Sequence, residues 1–100
     1  MGLAEIAAAH RRLSILKLLV ESNGDANESV LREALAQLGL TAGLTREAVR
    51  MDLRFLETAG CIRLEWFDDK LAVAHVLERG ADVAAGTIAI TGIKKPSFGN

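Results

Sequence analysis

The sequence predicts a mainly α-helical domain that carries one small β-hairpin. Three observations lead there. Half of the 100 residues are hydrophobic yet only 4% are aromatic, and alanine and leucine dominate the apolar half, a composition that favours helices over a sheet sandwich. Apolar residues recur at helical spacing as far as Gly60 and switch to a period of two from Ile62 onward. Glycines at 24, 39, 60 and 86 fall between the periodic segments and cut the chain into short elements. A chain of this length forms one domain, large enough to bury a core without disulfides or metal.

Positions 3 to 22, LAEIAAAHRRLSILKLLVES, hold no Gly or Pro and form the first helix. Ile6, Ala9, Leu13, Leu16 and Val20 make one stripe, and Ile15, Leu18 and Leu19 widen it. A helix apolar over so much of its circumference needs two partners. The domain core is one, and a second copy of the chain is the expected other, giving a homodimer through the N-terminal helix. Asn23-Gly24 supplies the left-handed stop. A second helix is expected over 28–38, with Asn27 as N-cap and Val30, Leu31, Ala34, Leu35 and Leu38 as its buried face. Gly39 closes it and LTAGL makes the turn. Thr45 caps a third helix, which has Glu47 in its first turn and ends at Gly60.

From Ile62 the segment IRLEWF alternates, Asp68-Asp69 turns the chain, and KLAVAHVL returns. A two-residue turn sets Trp66 against Leu71 and Leu64 against Val73. Asp-Asp is a weaker turn signal than Asp-Gly, which leaves the register open by one residue. A last helix runs from Glu78 to Ala85 and stops at Gly86. The tail TIAITGIKKPSFGN is expected to be extended, because Pro96 forbids a helix there. Helix, helix, helix, hairpin, helix is the order of a winged helix-turn-helix, here over residues 1–86 with a tail over 87–100.

Several function classes fall away. The single Cys61 cannot form an internal disulfide and sits in an apolar context, so it reads as a small core residue. One Cys and two distant His make no zinc site, and no metal ligand is expected. No carboxylate pair stands beside a positioned His, no Ser-His-Asp set occurs, and no glycine-rich loop follows a strand. No enzyme, catalytic residue or cofactor is therefore expected, and His75 reads as a partly buried sheet residue. The opening MGLAEIAAAHRR lacks the order of a secretory signal, Ile6 breaks the myristoylation pattern, and LSILKLLV is too short to span a bilayer. The expectation is a soluble, cytoplasmic protein with no membrane partner.

The net charge is −1, balanced on both sides of Gly60, so nucleic-acid binding would have to come from local placement. The third helix offers such a placement. At 100° per residue Val49, Leu53 and Leu56 fall together, and Arg46, Glu47, Arg50, Arg54, Glu57 and Thr58 occupy the opposite arc. Ion pairs between these arginines and glutamates along a solvated face explain the same pattern without DNA. Arg11, Arg12 and His10 could flank a phosphate or stay solvated. The hairpin tip, Phe67-Asp68-Asp69-Lys70, argues against DNA, since two carboxylates repel phosphate.

TREAVRMDLRFLETAGCI resembles the recognition-helix signature of the arsenic-repressor class of bacterial winged-helix regulators. Ala48, Val49, Leu53, Leu56, Ala59, Gly60 and Ile62 match in register. RRLSILKLLVES and VLERGADVA resemble the first and last helices of that class, so the likeness covers residues 10–85. Taken whole, with the ending GIKKPSFGN, the chain is similar to small winged-helix proteins of Mu-like bacteriophages and prophages. The resemblance implies a double-stranded DNA-binding regulator whose third helix enters the major groove. Arg46 and Arg50 would read bases by the guanidinium fork, Thr45 and Arg54 would hold phosphates, Glu47 lies among them, and Lys94-Lys95 would add unspecific attraction. Two departures stand out: Arg50 and Asp52 replace the Ser and His of the signature, and the metal-sensing cysteines are absent. The competing reading is a protein-interaction module, such as a phage assembly or packaging factor.

Overall fold

The computed structural model describes residues 2–97; the last three residues of the expected tail, 98–100, lie outside the described residues. The elements follow as α1 (Leu3–Glu21), β1 (Asp25–Asn27), α2 (Glu28–Gln37), α3 (Arg46–Thr58), β2 (Ile62–Phe67), β3 (Leu71–Val76) and α4 (Glu78–Ala85). Four helices and a three-stranded antiparallel sheet of order β1-β3-β2 make a mixed α/β fold. The sequence predicts only the β2-β3 hairpin. The added strand arises where Asn23 (φ 63°) and Gly24 (φ 104°) reverse the chain after α1. Gly24 then accepts a hydrogen bond from Val76 N–H at 2.7 Å, and Asp25, Ala26 and Asn27 pair with His75, Ala74 and Val73.

The helix starts follow their caps. Asn27 Oδ1 accepts from Val30 N–H at 2.9 Å and Thr45 Oγ1 from Ala48 N–H at 3.0 Å, each satisfying a donor that the first turn leaves open. Gly86, in the left-handed region, stops α4. The core gathers Ile15, Leu16 and Leu19 of α1, Leu31 and Leu35 of α2, Val49, Leu53 and Leu56 of α3, and Cys61, Ile62, Ala74, Val83 and Ile93. On α2 the buried stripe is Glu28, Leu31 and Leu35, whereas Val30 and Leu38 are exposed. Val30 points 100° away from Leu31, and Leu38 is already the C-cap.

The second apolar face of α1 is covered largely from within the chain. α4 lies along α1. The segment after it forms neither helix nor strand but doubles back, burying Ile93 and donating Lys94 N–H to Ala9 O at 3.1 Å. Leu3, Ile6 and Val20 remain outside. The hairpin is shifted by one residue from the two-residue turn: Phe67 pairs with Leu71, Trp66 with Ala72 and Leu64 with Ala74. Asp68 and Asp69 turn at φ 52° and 54°, and Lys70 N–H donates to Phe67 O at 3.0 Å. Ala72 and Ala74 thereby face inward, and Leu71 joins Phe67 on the outer face of the sheet. Among the described residues no helix is long and apolar enough to cross a membrane.

Candidate nucleic-acid interface

The packed arc of α3 contains Val49, Asp52, Leu53 and Leu56, which turns the arginine arc outward and toward the hairpin. The three arginines meet different fates there. Arg50 is held in place: its Nε donates to Glu28 Oε2 at 2.7 Å, and its Nη2 donates to Glu28 Oε1 at 2.8 Å and to Lys70 O at 2.7 Å. Its guanidinium carbon lies 5.2 Å from the centroid of the Trp66 ring, and its side chain is only 19% exposed. Arg46 donates to the same Lys70 O at 2.7 Å and comes within 3.7 Å of Glu28, yet its side chain stays 60% exposed. Arg54 is exposed, stands 5.4 Å over the Trp66 ring, and has no carboxylate of the described residues within ion-pair distance.

Glu28 is the hub of this arrangement. It is 3% exposed because it heads the apolar stripe of α2, which faces α3 and the start of β3. Its carboxylate also accepts from Ala72 N–H at 3.4 Å. The Arg50 hydrogen bonds hold the carboxyl below the usual glutamate range against the opposing effect of burial, and the pair in turn raises the Arg50 pKa. An acid at i, i+3, i+7 with two buried leucines is the sequence sign of such a carboxylate. Its partner, twenty-two residues further on, carries no periodic signal. Glu57 does not pair with Arg54; it accepts Leu64 N–H at 3.0 Å. Glu47 and Thr45 are exposed at the start of α3, with the Thr45 hydroxyl engaged as the cap.

Arg11 and Arg12 belong to a buried cluster. Arg11 Nε donates to Asp52 Oδ2 at 2.6 Å and Arg12 Nε to Asp52 Oδ1 at 3.1 Å, with Asp52 only 1% exposed. Arg11 also donates to Ala42 O at 3.2 Å. Arg12 reaches Gly92 O at 3.1 Å and stacks 3.9 Å from the centroid of Phe55. These guanidiniums are tied up inside the fold, which leaves neither as a flank for phosphate. The cluster also accounts for Asp52: on α3 it faces α1, about 160° around the helix from Arg54.

Lys94 and Lys95 are exposed, but the backbone of Lys94 is anchored to α1, so the structure does not bring this pair beside the α3 arginines. Burial, then Lys94 and Lys17, lower the His10 pKa. A groove of about 690 Å³ opens at this end of the molecule, lined by Ala4, Ala8, Ala48, Met51, Ile93 and Lys94 among others. One exposed arginine that the sequence reading passed over, Arg32 of α2, shares a small hollow with Arg46 and Ser29. Among the described residues no group of three metal-ligating side chains occurs.

The chain is 33% identical over 92 residues to "Uncharacterized protein gp26" of Escherichia phage Mu, spanning 92% of this chain and 93% of that protein. It is also 33% identical over 79 residues to an "Uncharacterized protein" of Haemophilus influenzae, spanning 79% of this chain and 76% of the other. No protein-family model matches the chain, and no solved structure matches it.

Proposed function

Since the chain belongs to the family of the phage Mu protein gp26, we propose for it a phage or prophage role, as a cytoplasmic winged helix-turn-helix protein that binds double-stranded DNA in gene regulation. It acts without catalysis. The observation that carries this reading is the state of Arg46 and Arg54: both are exposed on the face of α3 away from the core, and neither is locked by a carboxylate. They stand eight residues apart, about 12 Å along the helix axis. In a winged helix the N-terminal half of this helix enters the major groove, so Arg46 reads base edges and Arg54 holds a phosphate. Arg50, bound to Glu28, acts as a strut between α2, α3 and the hairpin and does not read bases. Lys94 and Lys95 lie on the flank of α1 and take no part in this face.

The test is a mobility-shift titration on random-sequence duplex at several salt concentrations. The variant with Arg46 and Arg54 both changed to Ala is expected to bind at least about tenfold more weakly. Its slope of log affinity against log salt should be shallower by about 2. Equal affinity of variant and wild type overturns the reading.

Pairing of two copies through α1 belongs to the same reading. It is supported by the exposed Leu3, Ile6 and Met51 around the groove, and by Glu5 and Lys94, opposite charges that both line it. A second reading, a protein-interaction module, is favoured by the acidic tip Asp68-Asp69 beside the exposed Phe67. It predicts no duplex binding and a partner contact that salt barely weakens.

A further inference from the structure

We propose that Glu28 is the residue that sets how strongly and how selectively α3 engages DNA: its buried carboxylate withholds Arg50 from nucleic acid and partly restrains Arg46. The inference rests on the DNA-binding reading above and names the residue that tunes it.

The geometry of the pair carries the argument. A guanidinium offers five N–H donors, and the fork formed by Nε and one Nη is what grips a phosphate or the O6/N7 edge of guanine. In Arg50 that fork is already filled by the two Glu28 oxygens, at 2.7 and 2.8 Å. The second hydrogen of Nη2 goes to Lys70 O, and the Trp66 ring stands against the guanidinium. Only the Nη1 hydrogens stay unused among the described residues. Glu28 is nearly inaccessible, so pulling Arg50 away strands a buried charge, and the pair persists when a duplex approaches. The carboxylate thus acts as a resident substitute for DNA in the middle of the arginine row. It leaves Arg46 at one end, 3.7 Å from the same carboxylate but mostly in solvent, and Arg54 at the other. Sequence-independent attraction follows the number of free cations, so one internal anion lowers it and gives base contacts a larger share of the affinity.

Glu28→Gln tests this, because the amide keeps the shape and removes the charge. With a random-sequence duplex as probe, the slope of log affinity against log salt should steepen by about 1, and affinity at about 50 mM salt should rise several-fold. The ratio between a duplex that wild type selects from a random pool and an unselected one should narrow. A purely structural role predicts lower thermal stability with no steeper slope. A folded Glu28→Gln variant with an unchanged or shallower slope, beside a wild type that binds, overturns this inference and leaves the DNA-binding reading standing. Failure of both proteins to bind any duplex at low salt overturns the reading, and this inference with it. Should the variant not fold, the Nε–H resonances of the wild-type arginines decide. On titration with duplex, Arg46 and Arg54 should shift while Arg50 stays; displacement of the Arg50 signal overturns the proposal.

Discussion

Asp52 stands on α3 among packed neighbours and is tolerated there because two guanidiniums of α1 reach it. Its removal leaves Arg11 buried without a counter-charge, a situation that costs about 3–5 kcal/mol. Asp52→Ala is therefore expected to lower the unfolding free energy by about that amount in urea titration, a large share of a small domain's stability. The double change Arg11→Met with Asp52→Leu should recover most of it, because an apolar pair of similar volume replaces both charges. Glu28 makes a pH-dependent contribution whose sign follows from its lowered pKa. The unfolded chain takes up this proton near the ordinary value of 4.5, the folded chain only below it. The pair's stabilisation is complete above 4.5 and is lost as pH falls through the folded value. Urea midpoints measured from neutral to acid pH should drop below about 4.5, and Glu28→Gln should flatten that drop. Both carboxylates were marked in the sequence as acids lying on an apolar arc. The spacing of Arg46, Arg50 and Arg54 was equally plain, but which of them is locked depends on a partner from another helix, which helical periodicity does not encode.

Helices were the legible elements. Asn27 and Thr45 mark their starts, Gly86 marks a stop, and continuous 3.6-residue stripes fix their faces to within a residue or two. Strands were less so. β1 has three residues, too few to show alternation, and exists because the turn at Asn23-Gly24 carries it alongside β3. The hairpin register slipped by one because its turn holds Asp68 and Asp69 at positive φ with Lys70 completing the loop. With a period of two, that single step sends Leu71 to the outer face and brings Ala72 and Ala74 to the core. Left-handed backbone costs a residue with a side chain about 1–2 kcal/mol, and Asp is among those that bear it best. Asp69→Gly removes part of that cost. It is expected to raise the melting temperature by a few degrees, read by circular dichroism, without altering the strand pairing.

At the level of the whole molecule, a helix apolar around much of its girth found most of its second cover inside its own chain, in α4 and in the segment ending near Lys94. Composition foretold the surplus of apolar surface but could not say how much of it the tail would absorb. What is left is concentrated at the N-terminal end, where Leu3 is 84% exposed beside the Met51 groove. If two copies pair there, sedimentation at tens of micromolar should report a dimer. Ile6→Glu with Met51→Glu should yield a folded monomer, and a monomeric wild type at that concentration refutes the pairing. The sheet, by contrast, is poorly placed to join subunits. The Leu64 amide on the free margin of β2 is plugged by Glu57, and the opposite margin, β1, spans three residues. A foreign backbone laid along β2 would have to evict a charged acceptor before its first rung could form. Ribbon-like polymerisation is blocked at that point, so crowding within an infected bacterium should leave this chain as discrete particles and not as fibrils.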